Sequence, residues 1–193
     1  MNLKSFFVKN LLSHALVLWV IFLTTPLSAQ PKYAIRKSTM SFTSSAELEL
    51  IRASTTHVQG LIDPTSNQFA FSVDVKSFQG FNSALQREHF NEKYMESEKF
   101  PKARFSGKII EPVDFSADGK FDVRAKGELD IHGQKQTRII RTTISIEAGD
   151  ISLQTRFLVP LSDHDISIPS IVSQKIATEI EVEFEATMSL EPL

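Results

Sequence analysis

The sequence predicts a mainly β protein, an antiparallel barrel of about eight strands with a short helical segment at one end. Apolar and polar residues alternate with a period of two along most of the chain, and no stretch alternates helix with strand as a parallel fold would. Short turn signals separate the runs, at Asp63-Pro64, Ser116-Ala117-Asp118-Gly119, His132-Gly133 and Ala148-Gly149-Asp150. A sheet of this many strands curls, and closure removes its exposed edges, so we expect a barrel.

The first 29 residues have the pattern of a signal peptide. Lys4 and Lys9 form a positive start, residues 11–23 are mostly apolar, and Leu27-Ser28-Ala29 resembles a cleavage site. We therefore expect cleavage before Gln30, one domain over 30–193, and a periplasmic or secreted protein. The apolar run is shorter than the roughly 20 residues of a membrane span, so we expect no integral membrane protein after cleavage. An uncleaved N-terminal anchor is the alternative.

The strands follow in order along the rest of the chain. The clearest is 121–132, where Phe121, Val123 and Ala125 alternate with Asp122 and Arg124. The last strand places apolar residues on one face and four glutamates on the other. The expected strands are 33–42, 48–53, 56–61, 69–75, a run restarting at 105, 121–132, 140–146, 151–159 and 180–190.

A helical segment, at about 83–97, interrupts the strands. Ser83 and Gln86 have the spacing of a capping box, which predicts a helix that begins at Ser83. A second short turn is expected from Asn91, and Pro101 is expected to close the segment because proline lacks an amide donor.

The helical segment and its approach carry more large apolar side chains than a solvated loop needs. Two interpretations are open: these side chains plug the end of an ordinary core, or they line the mouth of a pocket for an apolar ligand. The residues are Phe78, Phe81, Leu85, Phe90, Tyr94 and Met95.

Composition excludes several classes of function. The leader holds two lysines and no acid, so the mature chain has 19 basic and 23 acidic residues, a net charge of −4 that argues against nucleic acid as a partner. The chain has no cysteine, so we expect no disulfide, no thiol chemistry and no lipid-anchored N-terminus.

Sequence motifs of catalysis and metal binding are missing as well. The chain contains no GxSxG and no HExxH. Residues 88–92 offer too few ligands for a metal site, and His132 fits a turn hydrogen bond. The Asp163-His164-Asp165 triplet has two interpretations, a cation site at a loop or a polar turn before Pro169. We therefore expect no catalytic residues, no enzyme activity, no metal and no required cofactor.

Two separated motifs resemble the YceI-like family of exported lipid-binding proteins. One is Phe100-Pro101-Lys102-Ala103-Arg104-Phe105, where a strand starts after the helical segment. The other is the strand and turn Gly127-Glu128-Leu129-Asp130-Ile131-His132-Gly133. The resemblance covers essentially the whole mature chain.

The resemblance implies a lipocalin-like barrel whose tunnel holds an isoprenoid-type lipid, polyprenyl or quinone-like. An apolar lipid is then the partner, and the oligomeric state, monomer or homodimer, is left open. Arg87 and Lys93 are the candidates to meet a headgroup. The expected lipid-binding residues are Phe71, Val73, Phe78, Phe81, Leu85, Phe90, Tyr94, Phe105, Phe121, Val123 and Phe184.

A second hypothesis belongs to a different class of function. In it the barrel is filled by its own side chains, and the chain is a non-enzymatic periplasmic interaction module. Its glutamate face, over 179–185, would then meet a protein, although a solvated, aggregation-resistant surface is the more common reason for four exposed glutamates.

Overall fold

The computed structural model describes residues 31–191, which belong to one compact unit, Pro31–Leu193. The leader expected over 1–29 and its cleavage site lie outside the described residues. Nine antiparallel strands are found within 31–191. They are β1 Lys32–Ser45, β2 Leu50–Thr55, β3 Val58–Asp63, β4 Gln68–Asp74, β5 Lys102–Ile109, β6 Gly119–Ile131, β7 Gln134–Glu147, β8 Asp150–Pro160 and β9 Glu179–Glu191.

The sheet closes into a barrel because its first and last strands pair. β1 runs antiparallel to β9 from the pair Lys32 and Glu191 to the pair Thr43 and Glu181. The other edge of β1 pairs with β2 in its second half and with β3 near its start. β2 and β3 run in the same direction and share one position in the wall, so the barrel has eight positions and one extra strand, as the sequence predicts.

The interruption between β2 and β3 anchors the helical segment. Among the described residues β2 pairs with β1 but not with β4, and its Ser54 forms an isolated bridge with Gln79. The buried Thr55 hydroxyl oxygen accepts the amide proton of His57 at 3.0 Å and lies 2.8 Å from the Ser77 hydroxyl. The chain that leaves β4 is therefore fixed against the free edge of β2.

The helical segment contains three short pieces. A 3₁₀ turn over Val75–Ser77 is followed by helix α1, Ala84–His89, and then by a π-helix, Phe90–Tyr94. The Ser83 hydroxyl accepts the amide proton of Gln86 at 3.1 Å, which confirms the predicted helix start.

The end of the segment differs from the sequence-based expectation. No separate turn begins at Asn91, because α1 passes into the π-helix without a break and no side chain caps the junction. The Met95 amide donates to the Phe90 carbonyl at 2.9 Å, the five-residue spacing that defines this wider turn. Helical structure then ends at Tyr94, well before Pro101, and β5 starts directly after that proline.

The two ends of the barrel are packed differently. At the end where β1 begins and β9 ends, Ile151 and Met188 are fully buried in a layer with Ile146 and Tyr33. The Tyr33 hydroxyl donates to the Phe115 carbonyl at 3.4 Å, and the two rings pack with centroids 5.7 Å apart. We call this the closed end. The helical segment lies at the opposite end, together with the connections from β1 to β2, from β6 to β7 and from β8 to β9.

Candidate functional site

The barrel encloses an apolar cavity of about 510 Å³. Its walls come from every strand of the barrel, and buried residues such as Ile62, Ile144 and Leu153 form its inner part. It reaches the surface beside Leu85 of α1, whose side chain is 58% exposed. A cavity of this size falls in the range of small-molecule sites, roughly 300–1,000 Å³.

Most of the residues expected from the sequence line this cavity. They reach it from β4, from the helical segment, and from β5, β6 and β9, where the inward positions of each strand alternate as predicted. The predicted residues that line the cavity are Phe71, Val73, Phe78, Phe81, Leu85, Phe90, Tyr94, Phe105, Val123 and Phe184.

Phe121 is the exception. It points inward, but it pairs with Ile144 only two residues after β6 begins at Gly119, toward the closed end of the barrel. There it packs against the buried core and does not line the cavity. Its alternation pattern identifies the correct face of β6, while its depth along the barrel depends on register, which a single strand does not reveal.

Other lining residues come from parts of the chain to which sequence reasoning assigned no role. β1 contributes Met40 and Phe42, and the connection from β8 to β9 contributes Ile166, Val172 and Ile176. The inward alternation of Met40 and Phe42 is visible in the sequence. The irregular connection after β8 carries no periodic signal, so its approach to the cavity could not be predicted.

Four phenylalanine rings form a cluster where the helical segment meets the cavity. The Phe90 ring stacks on Phe42 with centroids 5.3 Å apart and an interplanar angle of 18°. Phe81 lies 5.0 Å and Phe78 lies 6.2 Å from Phe90. These contacts hold the π-helix against β1, so the aromatic side chains both close the end of the core and border the cavity.

Polar contacts fix the position of α1 over the barrel. The Gln86 side-chain oxygen accepts the amide proton of Asn82 at 3.0 Å, and its side-chain nitrogen donates to Glu49 Oε1 at 2.9 Å. Asn82 Nδ2 also donates to the Leu50 carbonyl at 3.0 Å. The first turn of α1 is thereby tied to the connection between β1 and β2.

The two expected headgroup residues lie away from the cavity lining. Arg87 extends along the outer side of α1 and donates from Nη2 to the Lys76 carbonyl at 3.0 Å. Lys93 is exposed on the π-helix. The polar residues that line this end of the cavity include Glu49, Ser83, Gln86 and His89, with Arg104 from β5 and Lys175 from the connection before β9.

A buried polar network joins three of the connections at this end. His132 Nε2 lies 2.8 Å from Glu96 Oε2, and His132 Nδ1 lies 3.1 Å from the His164 carbonyl oxygen. His164 is fully buried, and its Nδ1 lies 3.2 Å from the Gln134 carbonyl oxygen. Because a carbonyl only accepts, each Nδ1 must donate its proton. Burial lowers the pKa of His164 below its usual value near 6.5, and the Gln134 hydrogen bond offsets only part of this effect.

The chemistry available at the cavity is that of an apolar container. Burial raises the pKa of the Tyr94 hydroxyl at its edge, so that group is neutral near pH 7. Within residues 31–191 there is no group of three or more histidine, aspartate or glutamate side chains arranged to hold a metal ion. In the same range no helix is long and apolar enough to cross a membrane.

Sequence and structure comparisons agree with this architecture. The YceI-like domain model matches residues 33–188, nearly the whole described barrel. The chain belongs to the YceI-like family. No protein with a curated description matches the sequence of this YceI-like chain.

Solved structures share the fold at low sequence identity. A polyisoprenoid binding domain from Saccharophagus degradans, implicated in plant cell wall breakdown, is 16% identical with a TM-score of 0.69, over 82% of this chain and 98% of that one. Burkholderia cenocepacia BcnA is 17% identical with a TM-score of 0.64, over 78% and 95%. The Campylobacter jejuni YCEI protein is 18% identical with a TM-score of 0.52, over 67% and 77%.

Proposed function

We propose that this YceI-like protein binds an apolar isoprenoid-type lipid, polyprenyl or quinone-like, inside its barrel. The observation that carries the proposal is the 510 Å³ cavity, which has an apolar wall and one mouth at the helical end. The likeness to a polyisoprenoid binding domain supports the class of ligand.

The energetics of such a site need few specific contacts. Each methylene that leaves water for an apolar interior contributes about 0.8 kcal/mol, so a dry cavity binds a lipid chain without a distinctive polar motif. This is consistent with the wall, where threonine and serine hydroxyls are scattered among aliphatic and aromatic side chains. The protein thus acts as a binding protein and not as an enzyme, and it needs no cofactor.

The signal-peptide pattern at 1–29 supports a periplasmic or secreted location. In that compartment a carrier shields the lipid chain from water. The alternative of an interaction module requires a barrel filled by its own side chains, and an open cavity does not favour it.

Mass spectrometry of an organic extract tests the proposal. Freshly purified protein is expected to release about one isoprenoid lipid per molecule. A clean extract, together with no uptake of added geranylgeraniol, a prenyl alcohol of four isoprene units that matches the cavity in size, would reject the carrier function.

A pair of neighbouring threonines gives a matched test of the cavity itself. Thr142 faces inward and lines the cavity, whereas Thr143 faces outward and donates to Asp122 Oδ1 at 2.7 Å. Thr142→Phe places a ring in the space meant for the ligand, so lipid per molecule should fall severalfold. Thr143→Phe adds the same ring to the outer wall and should leave lipid content unchanged.

A further inference from the structure

The three most exposed large apolar side chains within residues 31–191 all lie at the mouth of the cavity. Ile171 is 91% exposed, Leu48 is 64% exposed and Leu85 is 58% exposed. They belong to three different parts of the chain: the 3₁₀ turn Ser170–Val172, the connection between β1 and β2, and helix α1. Exposed apolar residues scattered singly are ordinary, but a group at one functional opening indicates an interaction surface.

Hydrogen bonds hold these three parts of the chain together as one rim. The Leu48 amide donates to the Gln174 carbonyl at 2.8 Å, which joins the β1–β2 connection to the segment after Ile171. The bond from Gln86 to Glu49 joins the same connection to α1. We call Leu48, Leu85 and Ile171 the apolar rim.

The apolar rim is continuous with the inside of the cavity. Leu85 itself lines the cavity, and so do Glu49 and Val172, the chain neighbours of Leu48 and Ile171. An apolar surface therefore runs from the outside of the protein, across the rim, into the barrel.

Charges around the rim do not favour an anionic partner. The segments 46–49, 84–89 and 170–176 carry three carboxylates, at Glu47, Glu49 and Glu88, and two permanent cations, at Arg87 and Lys175. The polar groups are thus nearly balanced, with a small acidic excess. Attraction at this surface must come mainly from its apolar side chains.

We propose that the apolar rim docks the mouth of the barrel on the uncharged surface of a lipid bilayer. The rim consists of side chains on two adjoining connections and a helix, a shape that can insert among lipid headgroups. The proposal rests on the proposed function, because docking matters when the cavity exchanges a lipid with the bilayer. Contact at the mouth lets a lipid chain move between bilayer and cavity along apolar surface, without crossing water.

Flotation with phosphatidylcholine vesicles tests the docking. The protein is used as exported, with its N-terminus read by mass spectrometry. Leu48→Ser combined with Ile171→Ser removes rim side chains that do not line the cavity. Loss of two inserted aliphatic side chains should lower vesicle binding by at least about tenfold. Replacing some phosphatidylcholine with phosphatidylglycerol should not increase binding, and raising the salt concentration should not abolish it.

A second double variant controls for the loss of exposed apolar surface. Ile139 and Leu158 are 54% and 48% exposed on the outer wall of the barrel, on β7 and β8. Ile139→Ser combined with Leu158→Ser should bind vesicles as the unchanged protein does. Equal binding by the rim variant and the control, or no binding by the unchanged protein, would overturn the proposal.

Two further readouts separate the alternatives. Uptake of geranylgeraniol delivered from ethanol measures the cavity alone, and it should be equal in the rim variant and the control. If neither the unchanged protein nor either double variant takes up the alcohol, the proposed lipid-binding function is rejected. Flotation still measures docking on the vesicles in that case. A concentration-dependent dimer that disappears only in the rim variant, without vesicle binding, would assign the rim to a second copy of this chain.

Discussion

His132 and Glu96 join the β6–β7 turn to the end of the helical segment, with 2.8 Å between Nε2 and Oε2. Both residues adopt positive φ angles, 53° and 42°, in turns that this contact helps to hold. The His132 ring also packs edge-on against Phe100, with centroids 4.7 Å apart. The other ring nitrogen donates to the His164 carbonyl. The His132 side chain therefore links the β6–β7 turn, the end of the helical segment and the β8–β9 connection, all at the end of the barrel opposite the closed end.

Removal of the His132 side chain should weaken the fold more than it weakens ligand binding. His132→Ala leaves a buried carbonyl without its donor, so we expect a loss of about 1–3 kcal/mol in the free energy of unfolding. The exposed pair Lys135 and Glu128 lies on the same hairpin and provides the control, because Lys135→Ala removes only a solvent-screened ion pair and should change stability much less. Urea unfolding and lipid content measure the two effects. A folded His132→Ala protein that has lost its lipid would show that this histidine serves binding directly.

His164 should make stability depend on pH in the mildly acidic range. Its folded-state pKa is lowered by burial, so the unfolded chain binds the proton more readily. The stabilisation is present above pH about 6.5 and declines as the pH falls from there through the lowered folded-state pKa.

The measurement is thermal unfolding between pH 5 and 7 for the unchanged protein and for His164→Gln. The variant should show a smaller decline with falling pH, while His57→Gln, at an exposed histidine, should follow the unchanged protein. Asp63 also has a lowered pKa, through the Thr65 and Ser66 amides, but that carboxylate loses its stabilising charge only at still lower pH. Identical slopes for all three proteins would contradict the assignment to His164.

Two inward-facing glycines should respond differently to alanine. A Cβ atom at Gly60 would lie 2.0 Å from the Phe71 ring, so that ring must move into the cavity that it borders. A Cβ atom at Gly107 would lie 2.1 Å from the Lys126 carbonyl oxygen, so two strands would have to separate. Gly60→Ala is therefore expected to lower lipid content in a folded protein, and Gly107→Ala to lower the unfolding temperature. The reverse pattern would mean that Phe71 does not define the space for the ligand.

Charge introduced at two phenylalanines should separate binding from folding. Phe90 is half-buried in the cluster at the mouth, where an aspartate can be rehydrated, so Phe90→Asp should reduce lipid retention with moderate loss of stability. Phe121 is also partly buried, but it packs against the core near the closed end and does not line the cavity, so Phe121→Asp should destabilise the fold more than Phe90→Asp does.

Glu183→Lys is the surface control for this pair. Glu183 makes an exposed ion pair with Arg156, and loss of such a pair changes stability by less than about 1 kcal/mol. Co-purified lipid and thermal unfolding are measured on all three variants. Unchanged lipid in a folded Phe90→Asp protein, with loss in Glu183→Lys, would place the binding surface outside the barrel.

Much of the fold could be predicted because strands with one dry and one wet face leave a period-two record in the sequence. That record identified the inward residues of β4, β6 and β9, and Ser83 marked the start of α1 by its capping chemistry. Alternation does not reveal the register between neighbouring strands, and so it does not reveal how far along the barrel axis a residue lies. This is why Phe121 has the predicted face and yet lies outside the cavity lining.

Contacts between irregular segments were beyond sequence reasoning for a different reason. Lys93 lies on the π-helix, a wider turn that no residue pattern predicted. Arg87 lies on α1 as predicted, but its side chain donates to the Lys76 carbonyl, a contact that sequence spacing does not reveal. Lys175 borders the cavity because its connection is held by the bond from the Leu48 amide to Gln174, a backbone contact independent of side-chain type.

Because the closed end is packed, a ligand enters and leaves the cavity through the mouth at the helical end. Tyr33, Ile151 and Met188 are almost fully buried at the closed end, and none of them lines the cavity. A long lipid chain bound as proposed must then leave in the reverse of the order in which it entered, so the segment that entered last leaves first. A barrel with this arrangement does not by itself set a direction of transport. Net transfer of the bound lipid is then set by which of two membranes or acceptors holds that lipid at the lower chemical potential.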